Sequence, residues 1–163
     1  MPTLTELRER LAVVSCGSSR GRIHALPQSP IDVAGAFVKA INQEDLTALR
    51  AAMTEDHTFT DSRGNSFSGA EKMIAGWKYF FNAYPGYWIR VDSAFVDGAR
   101  VALFGEAGGN YKVEDRILPE NWSVAAAWLA EVEAGKVKKW TVYCDTGWAT
   151  PPAQTAAPLG EAK

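Results

Sequence analysis

Three segments with helical periodicity come first in this chain and a run of strand-like alternation comes last, an order that few architectures accommodate. Val33, Phe37, Val38 and Ile41 recur at helical spacing behind Ser29-Pro30-Ile31-Asp32. A serine can cap a helix, proline suits its first turn and Asp32 favours the positive end of the dipole. Asn42-Gln43-Glu44-Asp45 breaks this helix and caps a second, Leu46 to Met53, whose apolar face is Leu46, Leu49, Ala52 and Met53. A short alternating segment, His57 to Asp61, is followed by the turn Ser62-Arg63-Gly64-Asn65. Ser68-Gly69-Ala70-Glu71 then reads as a capping box opening a third helix, which carries Met73, Ile74, Trp77, Phe80, Phe81 and Tyr84 and ends at Pro85-Gly86.

Beyond Pro85-Gly86 the pattern is that of a sheet. Tyr87–Val96 and Val101–Phe104 flank the hairpin signal Asp97-Gly98. Gly105, Gly108 and Gly109 point to bulges or curvature, and Lys112–Glu120 reads as a polar excursion. Trp122–Glu133 and Lys136–Asp145 form a second hairpin across Ala134-Gly135. The expected class is therefore α+β, with three N-terminal helices on one face of a curved, mostly antiparallel sheet.

The chain has 163 residues, enough for one domain with a sizeable core. The expected organisation is an N-terminal extension over residues 1–29, a domain over 30–148 and a flexible Pro/Ala-rich tail over 149–163. Within the extension, Thr5–Val14 reads as a short helix. The acidic Glu6 and Glu9 before a short apolar run argue against a secretory signal. Cys16 and Cys144 have no metal-like spacing and read as reduced thiols of a cytoplasmic protein. With His24 and His57 as the only histidines, no metal site is expected. A net charge of −2 with scattered Lys and Arg gives no field for nucleic acid. No apolar run approaches the roughly 20 residues of a membrane helix.

The stretches Phe37–Leu46, Thr54–Asp61, Phe67-Ser68-Gly69 and Gly135–Asp145 together resemble the nuclear transport factor 2-like superfamily, in its SnoaL-like and ketosteroid isomerase-like branches. The resemblance spans residues 30 to 147. It implies a cone in which sheet and helices enclose a deep apolar pocket for a small hydrophobic molecule. It also implies frequent homodimers paired through the outer sheet face, and acid–base chemistry with no cofactor.

Asp61 falls where the resemblance implies a general base. In an aromatic-walled pocket, desolvation would raise its pKa and improve it as a base near neutrality. The competing reading is an Asp that satisfies turn amides in Asp61-Ser62-Arg63-Gly64. Strand alternation puts His57 on the same face, as a partner for the carboxylate or as a structural histidine bonded to a carbonyl. The oxyanion donors of the isomerase branch have no counterpart: Phe37 and Ala127 occupy those positions, and Trp77 replaces a supporting tyrosine.

The expected pocket lining comprises Phe37, Trp77, Phe81, Trp122, Trp140 and Cys144, with indole N–H groups orienting a ligand carbonyl or hydroxyl. Alternation sets Trp140, Val142 and Cys144 on one face and Asp145 on the other; the resemblance implies that the first set lines the pocket, which makes Asp145 a rim residue. Both faces of strand 121–133 are apolar, so alternation alone does not choose the inner one. Two functions follow: a cofactor-independent isomerase, cyclase or (de)hydratase with Asp61 as base, or a non-catalytic ligand-binding or dimerisation module.

Overall fold

The computed structural model describes residues 28–147, so the expected Thr5–Val14 helix, Cys16 and the 149–163 tail lie outside the described residues. Three helices, α1 (Pro30–Asn42), α2 (Leu46–Ala52) and α3 (Ala70–Ala83), accompany six strands. The Ser29 hydroxyl accepts from the Asp32 N–H at 3.3 Å, and Asp45 Oδ1 accepts from the Ala48 N–H at 2.9 Å.

The capping box at α3 does not form. Gly69, at φ 101°, is the residue before the helix and supplies no side-chain cap. Ser68 is held in extended pairing with Thr58, and their hydroxyls bond at 3.1 Å. Glu71 turns outward to Arg50, at 2.6 Å.

The strands are β1 (Met53–Thr60), β2 (Ser66–Ser68), β3 (Trp88–Asp97), β4 (Arg100–Val113), β5 (Arg116–Glu133) and β6 (Lys136–Cys144). They form one mixed sheet of order β2-β1-β6-β5-β4-β3, with β1 and β6 parallel and the other pairs antiparallel. The expected polar excursion over Lys112–Glu120 is instead the tip of a long hairpin, turning at Glu114 (φ 55°) with Lys112 paired to Ile117. Within this hairpin Tyr111 and Leu118 are buried, while Val113 and Ile117 near the tip are exposed.

Register assigns the faces without ambiguity. Ala94, Leu103, Trp128 and Val142 form one inner row, and Val96, Val101, Ala130 and Trp140 the next. Ser93, Phe104, Ala127 and Tyr143, then Phe95, Ala102, Leu129 and Thr141, are the matching outer rows. A bulge between Val91 and Ser93 bends β3 opposite Gly105. There the backbones approach so closely that a Cβ on Gly105 would lie 1.9 Å from the Arg90 carbonyl oxygen. Helix α1 closes the narrow end of the cone: Phe37 and Ile41 are fully buried beside Met53, Val137 and Trp140.

Candidate functional site

Between the inner sheet face and α3 lies a cavity of about 670 Å³, within the span of roughly 300–1,000 Å³ typical of small-molecule sites. Two tryptophans of the inner β5 row, Trp122 and Trp128, bracket Val124 and Ala126, and the small residues leave the space that the large ones enclose. Strand β6 adds Trp140, Val142 and Cys144, the set that alternation put on one face and the resemblance turned inward. Helix α3 adds Met73, Gly76, Trp77 and Phe80, one turn apart along its length. Asp61, Ser66, Ser68 and Lys72 supply polar groups to the lining where β1, β2 and α3 meet.

Asp61 reaches this lining, but its carboxylate is already engaged. Oδ1 accepts from the Arg63 N–H at 2.9 Å and the Asn65 N–H at 2.8 Å, and Oδ2 accepts from Asn65 Nδ2 at 2.9 Å. Partial burial pushes the carboxyl upward. The Asn65 side chain, the two backbone donors and the Arg63 charge outweigh it and hold the group below the usual carboxylate value. The expected upward shift is thus reversed, because turn amides rather than apolar walls dominate the surroundings of Asp61.

His57 does not join Asp61. Its ring is fully buried beside Phe37, 5.9 Å between centroids, and it is not among the residues lining the cavity. Nδ1–H donates to the Val137 carbonyl at 2.8 Å, which leaves Nε2 as an acceptor with no partner among the described residues. Desolvation depresses its pKa more than the Val137 carbonyl and the Asp56 charge restore it, so the ring is neutral.

Of the six residues expected to line the pocket, Trp77, Trp122, Trp140 and Cys144 do so. Phe37 and Phe81 stand one layer behind. Phe37 packs on Trp140 at 5.0 Å, and Phe81 stacks on Trp77 at 5.2 Å and 28°. Both therefore hold wall residues in place without facing the ligand space. The indole N–H groups of Trp77, Trp128 and Trp140 are sealed by protein and lack partners among the described residues. They present carbon to the cavity, against the expectation that they orient a ligand oxygen. Ala127, aligned in sequence with an oxyanion donor, faces outward, and the inner neighbours are Ala126 and Trp128. Asp145 is exposed at the strand end and caps the Gly147 N–H at 2.7 Å.

Sequence reasoning passed over Phe59, Val124, Ala126 and Tyr87 as lining. Phe59 carried a usable signal, since it lies midway between His57 and Asp61 on the same alternation. Among the described residues no cluster of three or more His, Cys, Asp or Glu could hold a metal ion. No described helix is long and apolar enough to cross a membrane.

With this geometry in hand, comparison places the chain among known proteins. A family model for the SnoaL-like domain matches residues 34–140. No curated protein matches the sequence. Among solved structures, a ketosteroid isomerase-like protein of Catenulispora acidiphila DSM 44928, in complex with trimethylamine, superposes with a TM-score of 0.65 at 18% identity, covering 72% of this chain and 88% of that one. A protein assigned as a SnoaL-like polyketide cyclase from Shewanella denitrificans OS-217 gives 0.66 at 13% identity, covering 74% and 93%. An LEH-like epoxide hydrolase of M. tuberculosis gives 0.62 at 20% identity, covering 71% and 82%. At such identities these structures support the shared cone fold.

Proposed function

The chain belongs to the SnoaL-like domain family, and on that premise we propose that its cavity is a binding site for a small, neutral, hydrophobic molecule. The observation that carries this reading is the aromatic enclosure itself: about 670 Å³ bounded by the rings of four tryptophans, Phe59, Phe80 and Tyr87. Such walls reward burial of apolar ligand surface at about 25 cal/mol per Å². The Catenulispora protein holds trimethylamine, but here Lys72 shares the polar part of the lining with Asp61, which disfavours a cation.

Binding fits the site better than general-base catalysis does. Asp61 is ionised and accepts three hydrogen bonds, and a carboxylate offers about four acceptor sites. What remains suits one hydrogen bond to a ligand donor. A base held below its ordinary pKa is a weak one for carbon acids. His57, spent on Val137, supplies no relay.

The test is saturable quenching of tryptophan emission by tetralin, a neutral two-ring hydrocarbon. One site per chain is expected, with Asp61→Asn binding tetralin as the parent does. Absence of saturable binding would overturn the reading. Proton exchange into a bound carbonyl compound that disappears in Asp61→Asn would restore the catalytic one.

The outer sheet face fits a second copy of the chain. Phe95, Phe104 and Tyr143 are 65%, 46% and 56% exposed, and Phe95 and Phe104 pack edge to face at 5.9 Å. Ala102, Ala127 and Leu129 lie between and beside them in adjacent register rows. A contiguous apolar patch of this kind favours an isologous dimer.

A further inference from the structure

Among the buried side chains described in the cavity wall, one hydroxyl is left unused by the fold. Tyr87 enters from the turn after α3, is 8% exposed and lines the cavity. Its ring is fixed edge-on to Phe80 (4.9 Å, 89°) and lies 6.0 Å from Trp122 at 32°. The hydroxyl has no hydrogen-bond partner among the described residues, yet it is not sealed in protein as the N–H groups of Trp77, Trp128 and Trp140 are. Three polar residues of the lining, Ser66, Ser68 and Asp61, already hold bonds within the fold. The Ser66 and Ser68 hydroxyls pair with Thr60 and Thr58, at 2.9 and 3.1 Å, and Asp61 holds its turn. Burial and, to a smaller degree, the Cys144 thiol keep the Tyr87 phenol protonated far above neutrality, so it remains a donor.

A donor in an apolar wall needs an acceptor, because leaving it unpaired forfeits its hydration. A ligand hydroxyl at Tyr87 would bring a proton of its own, and Cys144 beside it offers only a weak sulfur acceptor. The spare Asp61 acceptor belongs to the polar part of the lining at β1, β2 and α3. A carboxylate would bury a charge against aromatic rings, with Lys72 the one cationic residue among the described residues of the lining. A neutral carbonyl accepts without either cost.

Resting on the cavity's role as a hydrophobic-ligand site, we infer that the Tyr87 hydroxyl donates a hydrogen bond to the carbonyl oxygen of an otherwise apolar ring compound. Tyr87 is thus the residue that selects ketone over hydrocarbon and fixes the ligand's orientation in the cavity.

Paired titrations of 1-tetralone and tetralin into the parent protein and Tyr87→Phe test this. Loss of one neutral hydrogen bond should weaken tetralone about tenfold and leave tetralin unchanged. If Tyr87→Phe shifts both probes equally, or neither, the inference falls while the hydrophobic-site reading stands. If the parent binds neither probe, both fall. Should Tyr87→Phe fail to fold, the infrared carbonyl band of 1-tetralone bound to the parent decides. A band below its frequency in hexane supports the bond, and a hexane-like band overturns it.

Discussion

Along β5 the inner face carries Trp122, Val124, Ala126, Trp128 and Ala130, while the outer face carries Ser123, Ala125, Ala127 and Leu129. Both rows are largely apolar, yet Trp128 is 1% exposed, and the outer row lies between Phe104 at 46% and Tyr143 at 56%. On the inner side the bulk sits on β5 itself and brackets small residues. On the outer side the bulk sits on β4 and β6 and brackets Ala127. The same contrast of large and small makes a cavity where α3 covers it and leaves an exposed face where no described element does. Apolar content therefore does not distinguish a core face from an exposed one; the position of the bulky side chains does.

The largest effect should come from breaking the inner face. Trp128→Ala should cost about 3–5 kcal/mol of folding stability, read from the guanidinium midpoint, because the aromatic contact and the filled volume vanish together. A cost under about 1 kcal/mol would mean that the cavity collapses to heal the gap.

Acid sharpens the comparison, since His57 is a fully buried group whose ordinary titration lies in the acid range. Its folded pKa lies below the ordinary 6.5, so the unfolded ring binds a proton that the folded ring refuses. Stability is full above 6.5 and should fall as pH drops through that value toward the folded pKa. His57→Asn, whose amide can still donate to Val137, should flatten this slope in urea midpoints measured across pH. Asp61, depressed from 3.8, contributes stability that is lost only as pH falls below 3.8, so the two windows separate. An unchanged slope in His57→Asn would show that another group governs the acid limb.

The smallest effect on stability belongs to the outer face. Phe104→Asp should alter stability by no more than about 0.5 kcal/mol, while sedimentation mass should fall from two chains to one. A parent that sediments as a monomer would remove the dimer proposal.

Much of the fold was legible because periodicity reports packing directly. Val33, Phe37 and Ile41 on α1, and Trp140, Val142 and Cys144 on β6, face where their spacing puts them. The site was less legible. Alternation gave His57 and Asp61 a common face but carries no depth, and four residues of strand span about 13 Å, from buried core to polar lining. Asp61 satisfied two readings equally in sequence. The Arg63 and Asn65 donors favour the turn reading, and those depend on the turn geometry. Neither face of β5 could be chosen because both are apolar. Tyr87 looked like any first residue of a strand, and its free hydroxyl becomes visible only once its neighbours are placed.

Strand β6 follows every other described element in the chain, yet it lies in the middle of the sheet, with β1 on one side and β5 on the other. During synthesis the β2-β1 ribbon and the β5-β4-β3 meander emerge with no ladder joining them. The parallel seam to β1, which pairs Met53 with Val137, closes one of the longest loops in the chain. A growing polypeptide must therefore carry two unjoined edges and an open apolar floor until Trp140 has cleared the ribosome. Assembly of the cavity is consequently a late event, and the half-made protein is the form most in need of a chaperone.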